Sequence, residues 1–163
     1  MTHAAVALMR GLDRVVELLL LAILVSLVAI GGLQVVWRFV LNDPLAWVVE
    51  VSVILMIWGT MLAGYIGVRR NSHLSADFMG LAMRPRVRWL LEGLTMVLCL
   101  VFLAVYGWTS LAVIDSMEGI PFASIPLTQP AEYWSLPVGA ALMGLAFCVR
   151  LAEHVRRGPA AEG

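Results

Sequence analysis

Four stretches of this chain contain no Asp, Glu, Lys or Arg: 18–37, 51–68, 93–114 and 133–149, of 20, 18, 22 and 17 residues. As a helix rising about 1.5 Å per residue, each crosses or nearly crosses a hydrocarbon core about 30 Å thick. In lipid, every backbone N–H and C=O must be satisfied within the segment, which selects helices, and no alternation of the β-barrel kind is visible. The expectation is an all-α membrane protein: one integral domain over 1–163, with transmembrane helices near 15–38, 46–68, 89–114 and 132–150. The first stretch exceeds the apolar run of about 7–15 residues usual in a signal peptide, and no clear A-x-A site follows, so it reads as an uncleaved span. Only 13% of the 163 residues are charged, against about 25% in soluble domains. The formal net charge is zero and lysine is absent, so the basic face of a nucleic-acid binder is missing.

The eleven arginines are unevenly placed. Arg38 alone lies between the first and second spans; the others lie before the first, between the second and third, or after the fourth. The positive-inside rule then puts both termini and the second connection in the cytoplasm. Trp37, Trp47, Trp108 and Trp134 fall at or near the outer ends of spans, as an aromatic belt would. Trp89 sits at an inner end and Trp58 in mid-span.

Arg69, Arg70, Arg84, Arg86 and Arg88 bracket thirteen mostly apolar residues. Asn71 or Ser72 can cap a helix there, and Arg84-Pro85 can stop it. His73, Asp77, Gly80 and Arg84 share one stripe at helical spacing. The spacing predicts a short amphipathic helix over 72–84, lying in the inner interface between the second and third spans, with arginines facing anionic headgroups. A plain amphipathic linker is the alternative.

The spans hold no deep Asp, Glu, Arg or His of the kind that marks an ion or proton path; Glu17 and Glu92 lie near inner ends, where they reach water. The three histidines lie outside the spans, so no intramembrane haem pair forms. Cys99 and Cys148 lie at different depths, which disfavours a disulfide, and they form no C-x-x-C motif. No nucleophile-and-base set, phosphate loop or zinc spacing appears. The expectations are no enzyme, no cofactor and no bound metal.

What remains are contact features. Gly59, Ala63 and Gly67 recur at intervals of four in the second span, and small residues so spaced let helices approach closely. Packing within the bundle is the preferred use, docking to another protein the alternative. Ala140 with Gly144 is a weaker version in the fourth span. In "LNDPLAW", Asp43 is the expected N-cap with Pro44 at the first helical position. Arg38 and Glu50 either pair at the outer interface or reach water separately. His73 and Asp77, four apart, read as a structural hydrogen bond ahead of a proton relay. The proline-rich connection "DSMEGIPFASIPLTQPAEYW" either contacts an external protein or only joins two spans.

Over about 12–151 the chain resembles the DctQ family, the small membrane subunit of TRAP transporters. The resemblance rests on "WRFVLNDPLAWVVE", "IWGTMLAGYIGVRRNSHLSAD" and "SIPLTQPAEYWSLPVG". In the family an aromatic-Arg pair ends the first span, proline, tryptophan and an acidic pair open the second, and a Gly/Ala-rich end leads to Arg, His and Asp. These fall here on Arg38, Pro44, Trp47, Glu50, Arg69 or Arg70, His73 and Asp77. The acidic pair is reduced to Val49-Glu50, which weakens a role for its first member. The resemblance implies a bacterial inner-membrane complex of three proteins. A periplasmic substrate-binding protein captures an organic acid, and a large membrane subunit moves it with sodium, which binds that subunit. The small subunit braces the large one. The residues expected at partner or lipid contacts are Arg38, Trp47, Glu50, Gly59, Ala63, Gly67, Arg69, Arg70, His73 and Asp77. The competing reading is a self-contained small carrier acting as a homo-oligomer, which needs a membrane carboxylate and would use Glu50.

Overall fold

The structure, a computed structural model, describes residues 3–70 and 85–158. The expected interfacial helix over 72–84, with His73 and Asp77, lies outside the described residues. Helix α1 spans His3–Val36 and runs into a π-helical turn, Trp37–Leu41. α2 spans Ala46–Arg69, α3 Pro85–Ser116, the single turn α4 Pro130–Tyr133, and α5 Ser135–Arg157. Four segments are long and apolar enough to cross a membrane: α1 with its π turn, α2, α3, and α4 with α5. This is the all-helical, four-span architecture expected from the uncharged stretches.

Asn42 reverses the chain between α1 and α2. It takes the left-handed conformation at φ 55°, which asparagine tolerates better than bulkier residues, and its N–H donates to the Trp37 carbonyl. The N–H of Asp43 also points to that carbonyl, at 3.4 Å. Asp43 therefore belongs to the turn and is not the N-cap expected from its spacing. α2 begins two residues beyond Pro44, behind an extended Leu45 and without a side-chain cap. Pro85 occupies the first position of α3, where a missing N–H costs nothing.

α1 packs on α2, α2 on α5, and α5 on α3. α1 and α3 thus form the two edges of the bundle, and Leu21, Val28, Leu98 and Phe102 on them are exposed, as lipid-facing side chains are. The core runs through Leu62, Tyr65 and Val68 of α2, Leu103 of α3, and Ala140, Ala146 and Phe147 of α5. Its tightest seam joins α2 to α5. A Cβ built on Gly139 would sit 2.7 Å from Met61 Cβ, and one on Gly64 2.8 Å from Met143 Sδ. Close backbone approach through glycine is how helices gain contact where water supplies no driving force between them.

Candidate functional site

At the end of the bundle that carries both termini, each helix contact is closed by polar side chains. Asp13 on α1 accepts from Arg69 Nε at 2.8 Å, from Arg69 Nη2 at 2.7 Å and from the Tyr65 hydroxyl at 2.7 Å. Tyr65 and Arg69 are four apart on α2 and so share a face, and the fork of Arg matches a carboxylate bidentately. One turn on, Glu17 accepts from Arg70 Nη2 at 2.6 Å. Arg150 of α5 donates to the Val68 carbonyl at 3.0 Å, placing a cation where the last turn of α2 has unmatched carbonyls. Between α3 and α5, the His154 ring lies against Trp89, with centroids 5.2 Å apart and planes 13° apart. Its Nε2 is 2.9 Å from the Trp89 carbonyl oxygen, and its Nδ1 is 3.8 Å from Glu92. Glu92 accepts from Arg88 Nε at 2.9 Å. Glu17 and Glu92, expected simply to reach water, are both held in ion pairs.

At the opposite end the connection between α3 and α4 is folded. The Phe122 N–H donates to the Leu127 carbonyl at 3.0 Å and the Gln129 N–H to the Ile120 carbonyl at 2.9 Å. Gly119, at φ 80°, leads into this hairpin. Glu50, in the second turn of α2, accepts the Ala123 N–H at 2.8 Å and the Ser124 N–H at 3.0 Å. About 12 Å further along α2, at 1.5 Å per residue, Trp58 Nε1 donates to the Ala131 carbonyl at 3.1 Å. The connection is thus fastened to α2 at two depths. The mid-span position of Trp58 has its explanation here: it reaches the short α4, which begins two residues before the fourth span expected from the sequence. Glu132, at the edge of that span, is drawn in with α4 and buried, as is Ser135, whose hydroxyl donates to the Glu132 carbonyl at 2.6 Å.

The residues expected at contacts divide as follows. Arg38 is exposed on the π turn, its guanidinium 5.9 Å from the Phe39 ring centroid. Among the described residues it forms no ion pair with Glu50, whose carboxylate is turned to the hairpin. Trp47 is half-buried in the first turn of α2. Arg69 and Arg70 belong to the two ion pairs with α1. Of the small-residue stripe, Gly59 packs toward α1, where a Cβ would meet Ile23 at 3.3 Å, while Gly67 faces open space and Ala63 is exposed. The preferred internal packing of that stripe therefore holds only at Gly59. Gly64 and Gly139, which no spacing rule had singled out, make the close approach instead, because the face of α2 turned to α5 is offset from the stripe. Asp13, Tyr65, Arg150 and His154 were also missed. One signal was present: an acidic pair four apart near the start of the first span, and two arginines at the end of the second. A short reversal between the spans brings them level. Among the described residues no three His, Cys, Asp or Glu side chains gather as a metal site would require.

The arrangement is one of braces and anchored turns. The family model for the DctQ component of tripartite ATP-independent periplasmic transporters matches residues 27–157. A similar protein is the C4-dicarboxylate TRAP transporter small permease protein DctQ of Vibrio cholerae serotype O1, 24% identical over 90 residues. That match takes in 55% of this chain and spans 39% of the relative's length. With its four helices able to span a membrane, the chain belongs to the DctQ component family of the tripartite ATP-independent periplasmic transporters, as a transporter component and not an enzyme.

Proposed function

We propose that this chain is the non-catalytic scaffold subunit of a sodium-coupled, binding-protein-dependent uptake system for an organic acid in a bacterial inner membrane. It braces a large transport subunit, its termini lie in the cytoplasm, and the hairpin held by Glu50 faces the periplasmic binding protein. Sodium binds the large partner. The observation that carries this reading is the use made of the polar side chains. Asp13, Glu17 and Glu50 are each bonded to another element of the same chain, so they tie elements together, while Glu92 pairs with Arg88 within α3 and lies 3.8 Å from His154 of α5. A carrier would need such groups along a solute path. Glu50, which the homo-oligomeric carrier requires, has its carboxylate on two backbone N–H groups.

The test is reconstitution. The chain purified in mild detergent should bring a larger multi-span membrane protein at equal stoichiometry, and liposomes containing this chain alone should show no sodium-driven uptake. A C4-dicarboxylate is the first solute to try, since the Vibrio cholerae relative is named for one. Uptake by the chain alone would overturn the scaffold reading in favour of the small carrier.

A further inference from the structure

Between α1 and α2 the bundle leaves an open groove of about 590 Å³. Leu20, Leu24 and Leu27 of α1 and Leu55, Gly59 and Ala63 of α2 line it. Thr60 also borders it, but its hydroxyl donates to the Met56 carbonyl at 2.8 Å, so its own hydrogen bond is satisfied within α2. Charge appears at one end only, where Glu17 and Arg70 form the mouth. Arg10 and Arg14 are exposed and precede Glu17 by seven and three residues, on the same line of α1. Three guanidinium groups thus stand against one carboxylate. Asp13 adds no free negative charge, because Arg69 and Tyr65 close on it.

The length of the groove selects its occupant. From its charged mouth it runs about 15 Å along α1 to Leu27 and about 22 Å along α2 to Leu55 at 1.5 Å per residue, which stops short of a full hydrocarbon core about 30 Å thick. A transmembrane helix of a partner would need a seat continuing through both leaflets. An acyl chain needs one leaflet, with its headgroup at the charged end. We infer that this groove seats an acyl chain of an anionic phospholipid, with the headgroup phosphate held by Arg70 and Arg14. Ala63, with Gly59 one turn away, makes the depth, which gives a use in lipid binding to a stripe position that does not pack internally. The inference needs only the membrane-spanning bundle and is independent of which transporter the chain serves.

The full chain is placed in nanodiscs of phosphatidylethanolamine and phosphatidylglycerol in equal parts, extracted into mild detergent, and its retained lipid counted by native mass spectrometry. Wild type should keep one phospholipid, enriched in phosphatidylglycerol. Ala63→Phe fills the groove and should lose it, whereas Ala104→Phe, on the exposed face of α3, should keep it. Arg14→Gln with Arg70→Gln leaves the groove intact and should lower the preference for phosphatidylglycerol by about fivefold for each arginine removed, so the charge arm reads independently if Ala63→Phe folds poorly. Wild type retaining no lipid, lipid retained equally by a folded Ala63→Phe, or an unchanged preference in the double arginine variant would each overturn the proposal. A protein helix found cross-linked at Ala63 would do the same.

Discussion

Asp13 accepts three hydrogen bonds from α2, two from Arg69 and one from Tyr65. The side chains of Asp13 and Arg69 are 24% and 22% exposed, whereas those of Glu17 and Arg70 are 43% and 66% exposed. Burial decides what such pairs contribute, because water competes for the open one. Asp13→Asn removes a charge-assisted acceptor and presents an amide N–H₂ to a guanidinium, so it should cost about 2 kcal/mol. Glu17→Gln should cost no more than about 0.5 kcal/mol. Denaturant unfolding in detergent micelles checks both, and equal losses would show that burial does not separate the two pairs. A second prediction concerns Glu50. Glu50→Ala leaves the Ala123 and Ser124 N–H groups to water, and amide hydrogen exchange at those two residues should accelerate by about tenfold or more, since hydrogen bonds to charged groups are worth about 1.5–3 kcal/mol. Unchanged exchange would mean that the hairpin holds its own shape. Glu50 stood out in the sequence as a carboxylate at the start of a span. Its partner could not be read there, because it is backbone more than seventy residues away, and backbone N–H groups carry no compositional signal.

At the scale of the helix, the α2–α5 seam and the α1–α2 groove make opposite demands on small residues. Gly139 lies against Met61 Cβ, which cannot move without its backbone. Gly64 lies against the flexible end of Met143, and Gly67 against nothing within 4 Å. Gly139→Ala should therefore destabilise by about 1–3 kcal/mol through overpacking, Gly64→Ala by less, and Gly67→Ala should be neutral or stabilising, since alanine is the better helix former. Unfolding of the three variants in one detergent gives the order, and an inversion of Gly139 and Gly67 would contradict the seam. Intervals of four were legible in α2, but the glycine that matters, Gly64, belongs to no such interval. Which face of an apolar helix turns inward is not set by its composition when all faces are apolar. α2 begins at Ala46, where the span was expected, but its cap differs for a related reason: Asp43 and Pro44 have the right chemistry for a helix start, and Asn42 and the π turn took them into the reversal.

For the whole molecule, the distribution of arginine makes a prediction of orientation. All described arginines except Arg38 lie at the end that carries the termini, and the hairpin held by Glu50 lies at the other. In intact cells a membrane-impermeant thiol reagent should label Glu118→Cys and should reach Gly11→Cys only after permeabilisation, both in a background without Cys99 and Cys148. The reverse pattern would place the termini outside and remove the proposed role toward a periplasmic protein.

The number of spans, their helical nature and their charge asymmetry follow from the sequence alone, because uncharged runs of this length have few other ways to satisfy backbone hydrogen bonds in lipid. The family was also legible, in the residues around Arg38–Glu50 and in the run through Arg69 and Arg70. What only the tertiary structure decided is which helices are neighbours and what the polar residues do: α5 set between α2 and α3, Asp13 closed by Arg69 and Tyr65, Glu50 and Trp58 fastening the connection between α3 and α4, and Ala63 left facing a groove. The polar pairings among these join residues more than fifty apart. They depend on the rotation and tilt of helices whose apolar faces look alike in sequence, and close packing alone tells those faces apart.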